Sequence, residues 1–354
     1  MPVPRFDIDL TESQRHVRES IRAICDDFDH AYWRRHAREE TYPHEFVDAL
    51  AAEGWLGVLI PESYGGKGLG TPETVVMMEE IAASGAGFGG AQTIHGGIYN
   101  SPPLVNNASP DRKETLLPKI ARGEVSIQAF GLTEPEAGSN APSMETFARR
   151  EGDEYVVSGE KMWISRVDVS DYMLLVARTS PKSAVDKRTR GISTFLVDLE
   201  DARSQGRLHK EPIEKSASTF VNSYRLTFDD LRVPAENLIG EEGAGFYQVL
   251  DGLNEERLVI AAELIGMAEL ALSKGADYAA DRDVFDRPIG ANQAIQHPLA
   301  AAHAEVQAAR QVTYEAASRS AEDSLDRESL GARANAAKYL AANAASSAAD
   351  AAVQ

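Results

Sequence analysis

Between about residue 121 and residue 235, short β-rich runs follow one another with no helical segment between them. The runs are Tyr155-Val-Val, Tyr172-Met-Leu-Leu-Val176, Ile192-Ser-Thr-Phe-Leu-Val197 and Tyr224-Arg-Leu-Thr-Phe228. Gly, Pro, Asp and Ser separate them. Strands in direct succession form an antiparallel sheet or barrel and exclude alternating βαβ units.

Both flanks of this region carry the other periodicity. Thr11 and Glu12, followed by Val17, Ile21 and Ile24, predict a capped amphipathic helix. Pro43–Leu50 and Glu73–Ala83 predict two more, with the glycine-rich loop Pro61–Gly70 between them. Beyond about residue 240 the chain turns helical again and becomes alanine-rich. Ala332–Val353 has high helix propensity and small side chains suited to close packing. The expected layout is α+β, with an N-terminal all-α domain (1–120), a central antiparallel β domain (121–235) and a C-terminal helical bundle (236–354).

With 354 residues and 43% hydrophobic composition, the chain can bury a large core in more than one domain. A formal net charge of -19 argues against a general nucleic-acid or membrane-surface binder. Cys25 is the single cysteine, so no internal disulfide can form, which suits a reducing compartment. Residues 1–10 show no apolar signal core and no apolar run is long enough to span a bilayer. These features predict a soluble, cytoplasmic protein.

Three local patterns are set aside. Gly85-Ala-Gly-Phe-Gly-Gly90 matches G-x-G-x-x-G, but a helical pattern precedes it where a dinucleotide fingerprint needs a strand. It reads as a flexible connection between helices. The eight histidines form no H-E-x-x-H or Cys/His cluster, so no catalytic metal is expected. Asn107-Ala-Ser lacks the secretory context that would make it a glycosylation site.

Two motifs carry chemistry. Phe130-Gly-Leu-Thr-Glu-Pro-Glu-Ala-Gly-Ser-Asn140 is a strand end turning through Pro135 and Gly138. It offers amides and the Thr133 and Ser139 hydroxyls to a polar heterocycle or a phosphate. Gly159-Glu-Lys-Met-Trp-Ile-Ser165 places an indole two residues from a hydroxyl on a strand. An indole can stack on a flat ring while the hydroxyl bonds its edge. Standing alone, the first motif reads better as an ordinary hairpin turn and the second as a core tryptophan.

Taken together, in this order and at this separation, the motifs resemble the FAD-binding strands of the acyl-CoA dehydrogenase family. That family's pattern is Thr-Glu-x-x-x-Gly-Ser followed by Lys-x-Trp-Ile-Thr/Ser. Gly54-Trp-Leu-Gly, Pro61-Glu-Ser-Tyr-Gly-Gly, Val233-Pro-Ala-Glu-Asn-Leu-Ile-Gly240 and Arg282-Asp-Val-Phe-Asp-Arg-Pro-Ile-Gly290 extend the resemblance over the whole chain. It implies that Thr133 bonds the flavin pyrimidine edge, that Trp163 packs on the isoalloxazine and that Ser165 bonds near N5. Phe130, Leu132 and Ser139 would line the flavin or thioester pocket. Arg282, Phe285 and Gln293 resemble the segment that reaches the FAD of a neighbouring subunit, implying a homo-oligomer, a tetramer or a dimer.

Taking an α proton from a thioester needs a carboxylate in a dry pocket. On a helical projection of Leu250–Ala262, the residues Leu250, Leu253, Arg257, Ala261, Leu264 and Ile265 share one face. Arg257 in that stripe calls for an anionic partner. Glu256 borders the stripe, and Glu255 points further toward solvent. Geometry leaves a structural and a catalytic role open for Glu256. The resemblance implies that Glu256 is the base, that Arg257 contacts the CoA pantetheine arm, and that Asn254 lies near it.

The implied reaction is FAD-dependent α,β-dehydrogenation of a fatty acyl-CoA to the trans-2-enoyl-CoA, as in β-oxidation. An electron-transfer flavoprotein would accept the electrons. A flavin monooxygenase or oxidase on the same fold is the rival reading, and a cofactor-less helical subunit is a third. Relatives continue beyond the equivalent of Gln354 with a His-Gly-Gly-x-Gly loop that helps to bind FAD. The expectation is therefore a fragment lacking that segment. Asn140 replaces the usual Asp, and Asp286 stands where Gly is common.

Overall fold

The computed structural model describes residues 8–321 and 326–354. Residues 1–7 of the N-terminal segment read above lie outside that range. In chain order the first helices are α1 (Glu12–Asp26), α2 (His30–Glu39), α3 (His44–Ala52), α4 (Thr71–Ala83), α5 (Gly87–Ala91), α6 (His95–Asn107) and α7 (Pro110–Ala121). Then come strands β1 (Ala129–Gly131), β2 (Phe147–Glu151), β3 (Glu154–Ser165), β4 (Tyr172–Arg178) and β5 (Ile192–Asp198). Helix α8 (Leu199–Ser204) precedes β6 (Leu208–Pro212), β7 (Ser223–Pro234) and β8 (Leu238–Ile239). The remainder is α9 (Gly245–Asp281), the hairpin β9 (Asp283–Val284) and β10 (Arg287–Pro288), α10 (Gln293–Ser320) and α11 (Arg327–Val353).

The described chain forms two compact units. One holds the residues up to Arg35, Gly70–Ala91 and Asn254–Gln354; the other holds His36–Leu69 and Gln92–Leu253.

The first unit is a helical bundle. Thr11 caps α1 as its spacing predicts: its hydroxyl accepts from Gln14 N (3.1 Å), and Gln14 Oε1 accepts from Thr11 N (3.0 Å). The alanine-rich C-terminus is a helix, with Ala334, Ala337, Ala341, Ala344, Ala345 and Ala348 buried at a three-to-four spacing. Small residues at that period let two backbones come close. The same device joins α4 to α9: a Cβ on Gly266 would lie 2.3 Å from the Glu79 carbonyl oxygen. Helix α4 also carries a buried charge. Glu79 accepts from Arg310 Nε at 2.9 and 3.1 Å, and both side chains are almost fully buried.

Gly85–Gly90 is no free connection. It contains most of α5, and a Cβ on Gly90 would lie 2.1 Å from the Ala86 side chain. The glycines serve close packing around Trp33 instead of flexibility.

The second unit is built on an eight-stranded sheet of order β6-β7-β3-β2-β4-β5-β8, with β1 beside β4. All four predicted β runs are strands of it. Most pairs are antiparallel, but β1 and β2 meet β4 in parallel. The β2–β3 hairpin comes between β1 and β4 in the chain, so β4 returns running in the direction of β1. Tyr155, Val157, Phe195, Leu226, Phe228 and Val233 form the core under the sheet. Gly159 is required where β3 passes β2: its φ is +140°, and a Cβ there would lie 2.6 Å from Thr146 Cα.

Removing one partner of the Glu79–Arg310 pair strands a buried charge. Glu79→Ala should therefore lower stability by about 3–5 kcal/mol. Glu79→Met with Arg310→Met should recover part of that loss in a thermal melt. A melt of the single variant superimposable on wild type would show that the pair contributes nothing.

Candidate functional site

Strand β1 ends at Gly131, and the next residues turn sharply. Glu134 N donates to the Ala137 carbonyl and Ala137 N to the Glu134 carbonyl, both at 3.1 Å. The turn is held from inside by charge. Lys161 on β3 is fully buried, and its Nζ donates to Glu134 Oε1 (2.8 Å) and to the Leu132 carbonyl (2.9 Å). Glu134 also accepts from Glu145 N (2.7 Å) and Thr146 N (3.0 Å). A third tie joins the two motifs directly, from Met162 N to the Thr133 carbonyl at 2.8 Å. The pair of motifs singled out in the sequence is thus one structural object.

The two charges of this pair are unequally served. Burial alone would raise the Glu134 carboxyl, but the Lys161 charge and the surrounding donors outweigh it and hold the group below its ordinary 4.5. Among the described residues Lys161 finds two acceptors for its three protons. Burial therefore dominates and pushes its amine down to about 8, with Glu134 opposing.

Next to this anchor β3 breaks its pairing with β7. The register shifts between Lys161 and Ile164, and Trp163 takes φ +64°. A positive φ at a bulky residue marks a constrained bulge. Its result is an indole left 53% exposed, so Trp163 is not a core tryptophan. Lys161 goes into the interior and Trp163 to the surface, although simple alternation would put both on one face. Ser165 regains the register opposite Ser223, and their hydroxyls lie 2.8 Å apart.

Phe130, Leu132 and Thr133 are half-buried, and Ser139 and Asn140 are exposed. Phe130 and Leu132 pack with Val176, Ile192 and Val249 under the turn. Among the described residues, none hydrogen-bonds the Thr133 or Ser139 hydroxyl. The second unit therefore displays an indole face, two available hydroxyls and a rigid turn within one anchored segment. These are the groups needed to hold a flat heterocycle by its face and edge.

The carboxylate candidate lies in the first unit. Glu255 and Glu256 are both half-buried. Helix α9 is covered around most of its circumference, with Leu258, Val259, Ala261, Ala262, Glu263 and Ile265 all buried. That wide cover also shifts the expected stripe, because Leu250, Leu253 and Leu264 are only half-buried. Arg257 was expected to face an anion. It donates to Asn254 Oδ1 instead, at 2.8 Å. A neutral acceptor one turn back fixes the guanidinium and leaves its charge uncompensated by that bond.

Arg282, Phe285 and Gln293 are exposed around the β9–β10 hairpin. Its two turn residues, Phe285 (φ +55°) and Asp286 (φ +61°), are both left-handed. Glycine is favoured at such a position, which gives a physical reason why Asp286 is a costly departure. The turn holds Phe285 94% exposed. Among the described residues, no group of three or more His, Cys, Asp or Glu could hold a metal ion. No helix of the described residues is long and apolar enough to cross a membrane.

Three family profiles match the chain in succession. They are the N-terminal domain of acyl-CoA dehydrogenase over residues 11–124, its middle domain over 129–231 and its C-terminal domain over 243–354. The acyl-CoA dehydrogenase FadE12 of Mycobacterium tuberculosis is 35% identical over 344 residues, 97% of this chain and 86% of that protein. The chain belongs to the acyl-CoA dehydrogenase family. Mitochondrial isovaleryl-CoA dehydrogenase of Pongo abelii is 32% identical over 87% of this chain and 72% of its own length. Among solved structures, a glutaryl-coenzyme A dehydrogenase superposes with a TM-score of 0.88 at 29% identity, covering 98% of this chain and 86% of that one. Butyryl-CoA dehydrogenase of Megasphaera elsdenii gives 0.86 at 27% identity, over 96% and 86% of the two chains.

The acyl-CoA dehydrogenases are FAD-dependent enzymes, so FAD is the cofactor this chain has to hold. The displayed Trp163 face and the anchored turn fit that group. The Lys161–Glu134 anchor had not been assigned a role from the sequence. Its signal was there: Lys161 shares the parity of the buried Tyr155 and Val157 on β3, which puts a cation on an inward face.

The pair makes stability depend on pH in two windows of one sign. Glu134 has a depressed folded value, so its contribution is present above 4.5 and is lost as pH falls through the folded value. Between about 8 and 10.5 the unfolded chain binds more protons at Lys161 than the folded one does, so stability rises with pH there. Thermal melts across pH should show both slopes for wild type. Glu134→Gln should flatten the acid limb and Lys161→Met the alkaline one. Unchanged slopes in both variants would contradict this assignment.

Proposed function

We propose that this protein oxidises a fatty acyl-CoA thioester across its α and β carbons, giving the trans-2-enoyl-CoA. The observation that carries the reading is the Trp163 bulge. A strained indole left 53% exposed beside a buried ion pair offers a flat face to a flat ring.

The chain's own groups divide the work. Thr133 and Ser165 would orient the cofactor by its edge, Trp163 by its face, and Phe130, Leu132 and Ser139 would line the pocket. Bound FAD would accept the β hydrogen with its electron pair. The Glu256 carboxylate would take the α proton from its half-buried position on α9, next to Arg257 in the chain. Arg257, fixed by Asn254, would bind the CoA arm, and its unspent charge suits an anionic ligand. Positioning of these groups supplies much of the rate.

Exposure of Phe285 and Arg282 at the strained hairpin supports a role against the FAD of a second copy in a homo-oligomer. An electron-transfer flavoprotein is the proposed electron acceptor, and fatty-acid β-oxidation in the cytoplasm the proposed setting. A carboxylate followed by an arginine on α9 weighs against a monooxygenase or oxidase on the same fold.

Anaerobic titration of the FAD-loaded protein with acyl-CoAs of graded length and branching tests the reaction. Bleaching of the flavin band by at least one of them is expected. No bleaching by any would refute the reaction. Glu256→Gln should keep its FAD and slow the bleaching about 10²–10⁴-fold. A variant that bleaches at the wild-type rate would remove Glu256 from the base role.

A further inference from the structure

A cavity lies in the sheet-bearing unit, behind the strand that leads into the Thr133 turn. It measures about 160 Å³. Val47, Leu56, Ile98 and Ile120 give it apolar walls, and Tyr42, Ser126 and Gln128 are its polar groups. Exposed His44 and Asp48 on α3 also border it, so solvent can reach it.

The polar groups are not self-satisfied. Tyr42 Oη donates to the Thr93 carbonyl, and Gln128 Nε2 lies 2.9 Å from Tyr42 Oη. A carbonyl can only accept, so the Tyr42 proton points to Thr93 and Tyr42 must accept from the Gln128 amide N–H. The end of the amide left over is therefore its oxygen. Among the described residues Gln128 Oε1 has no partner, and the whole residue is only 6% exposed. Ser126 Oγ is likewise buried and has no partner among them. Neither residue can easily move its side chain by backbone shift. Ser126 N donates to Asp171 Oδ2 (2.7 Å), and the Gln128 carbonyl accepts from Arg166 Nε (3.5 Å). Burying such atoms unpaired costs stability, so a native site holding two of them calls for an outside partner.

We propose that this cavity is a binding site for a small neutral molecule with an apolar body of about one aromatic ring and a single O–H or N–H donor. The donor would bond Gln128 Oε1, and Ser126 Oγ would share the same head group. The size fits, since an apolar cavity of about 150 Å³ takes up benzene. Phenol-like or short alcohol-like compounds are the class described. The site lies on the opposite end of β1 from Thr133 and involves no step of flavin chemistry.

The test uses the full-length FAD-loaded protein with 4-fluorophenol as probe and fluorobenzene as its donor-less control. Fluorine NMR should show saturable binding of 4-fluorophenol, about tenfold tighter than fluorobenzene. Crystals soaked with the probe should place its hydroxyl on Gln128 Oε1. Gln128→Leu should erase the preference for the phenol while keeping fluorobenzene binding. Ordered water alone in the cavity, with no saturable signal from either probe, would overturn the site. Equal affinity for the two probes would overturn the donor requirement, and that comparison stands even if Gln128→Leu does not fold.

Discussion

The ion pair between Lys161 and Glu134 is the constraint that holds the Thr133 turn against the strand displaying the Trp163 indole. A lysine with no exposed surface is costly unless its charge is matched nearby. Here the match is a carboxylate on the adjacent turn, 2.8 Å away, and the carbonyl of Leu132. Satisfying that lysine pulls the Thr133 turn against β3 and fixes the distance between the two motifs. The bulge follows directly after the buried charge: the register shifts between Lys161 and Ile164, and Trp163 absorbs the change at φ +64°. That shift, two residues beyond the buried lysine, leaves the indole exposed.

The helix–sheet–helix layout was legible because it rests on local periodicity. Val17 and Ile21 on α1 and the four β runs lie where spacing put them, and α11 forms where alanine content gives high helix propensity. Other features were not local and could not be read that way. The positive φ of Trp163 follows from a pairing shift against β7, far away in sequence. The parallel contacts of β1 and β2 with β4 depend on which strands meet, a choice that a run of residue types does not encode. Gly85–Gly90 looked mobile because it is rich in glycine, yet its glycines serve close contact with Ala86 and Trp33.

Helix α9 shows the same division at the site. Its existence and the order Glu256, Arg257 were plain in the sequence. Its buried stripe was not, because a helix covered on most sides has no single apolar face from which to judge Glu255 against Glu256. Arg257 paired with a neutral asparagine where an acid was expected, a choice set by i, i+3 neighbours on one helix. Family membership is carried by sequence identity along nearly the whole chain and does not rest on any one of these side chains.

A double-mutant cycle on FAD affinity tests the anchor most directly. The dissociation constant of FAD would be measured for wild type, Lys161→Met, Glu134→Gln and the pair combined. If the ion pair positions the flavin strands, each single change weakens FAD binding about tenfold or more, and the combined change costs no more than the worse single one. Losses that simply add, or affinities that do not change, would contradict it.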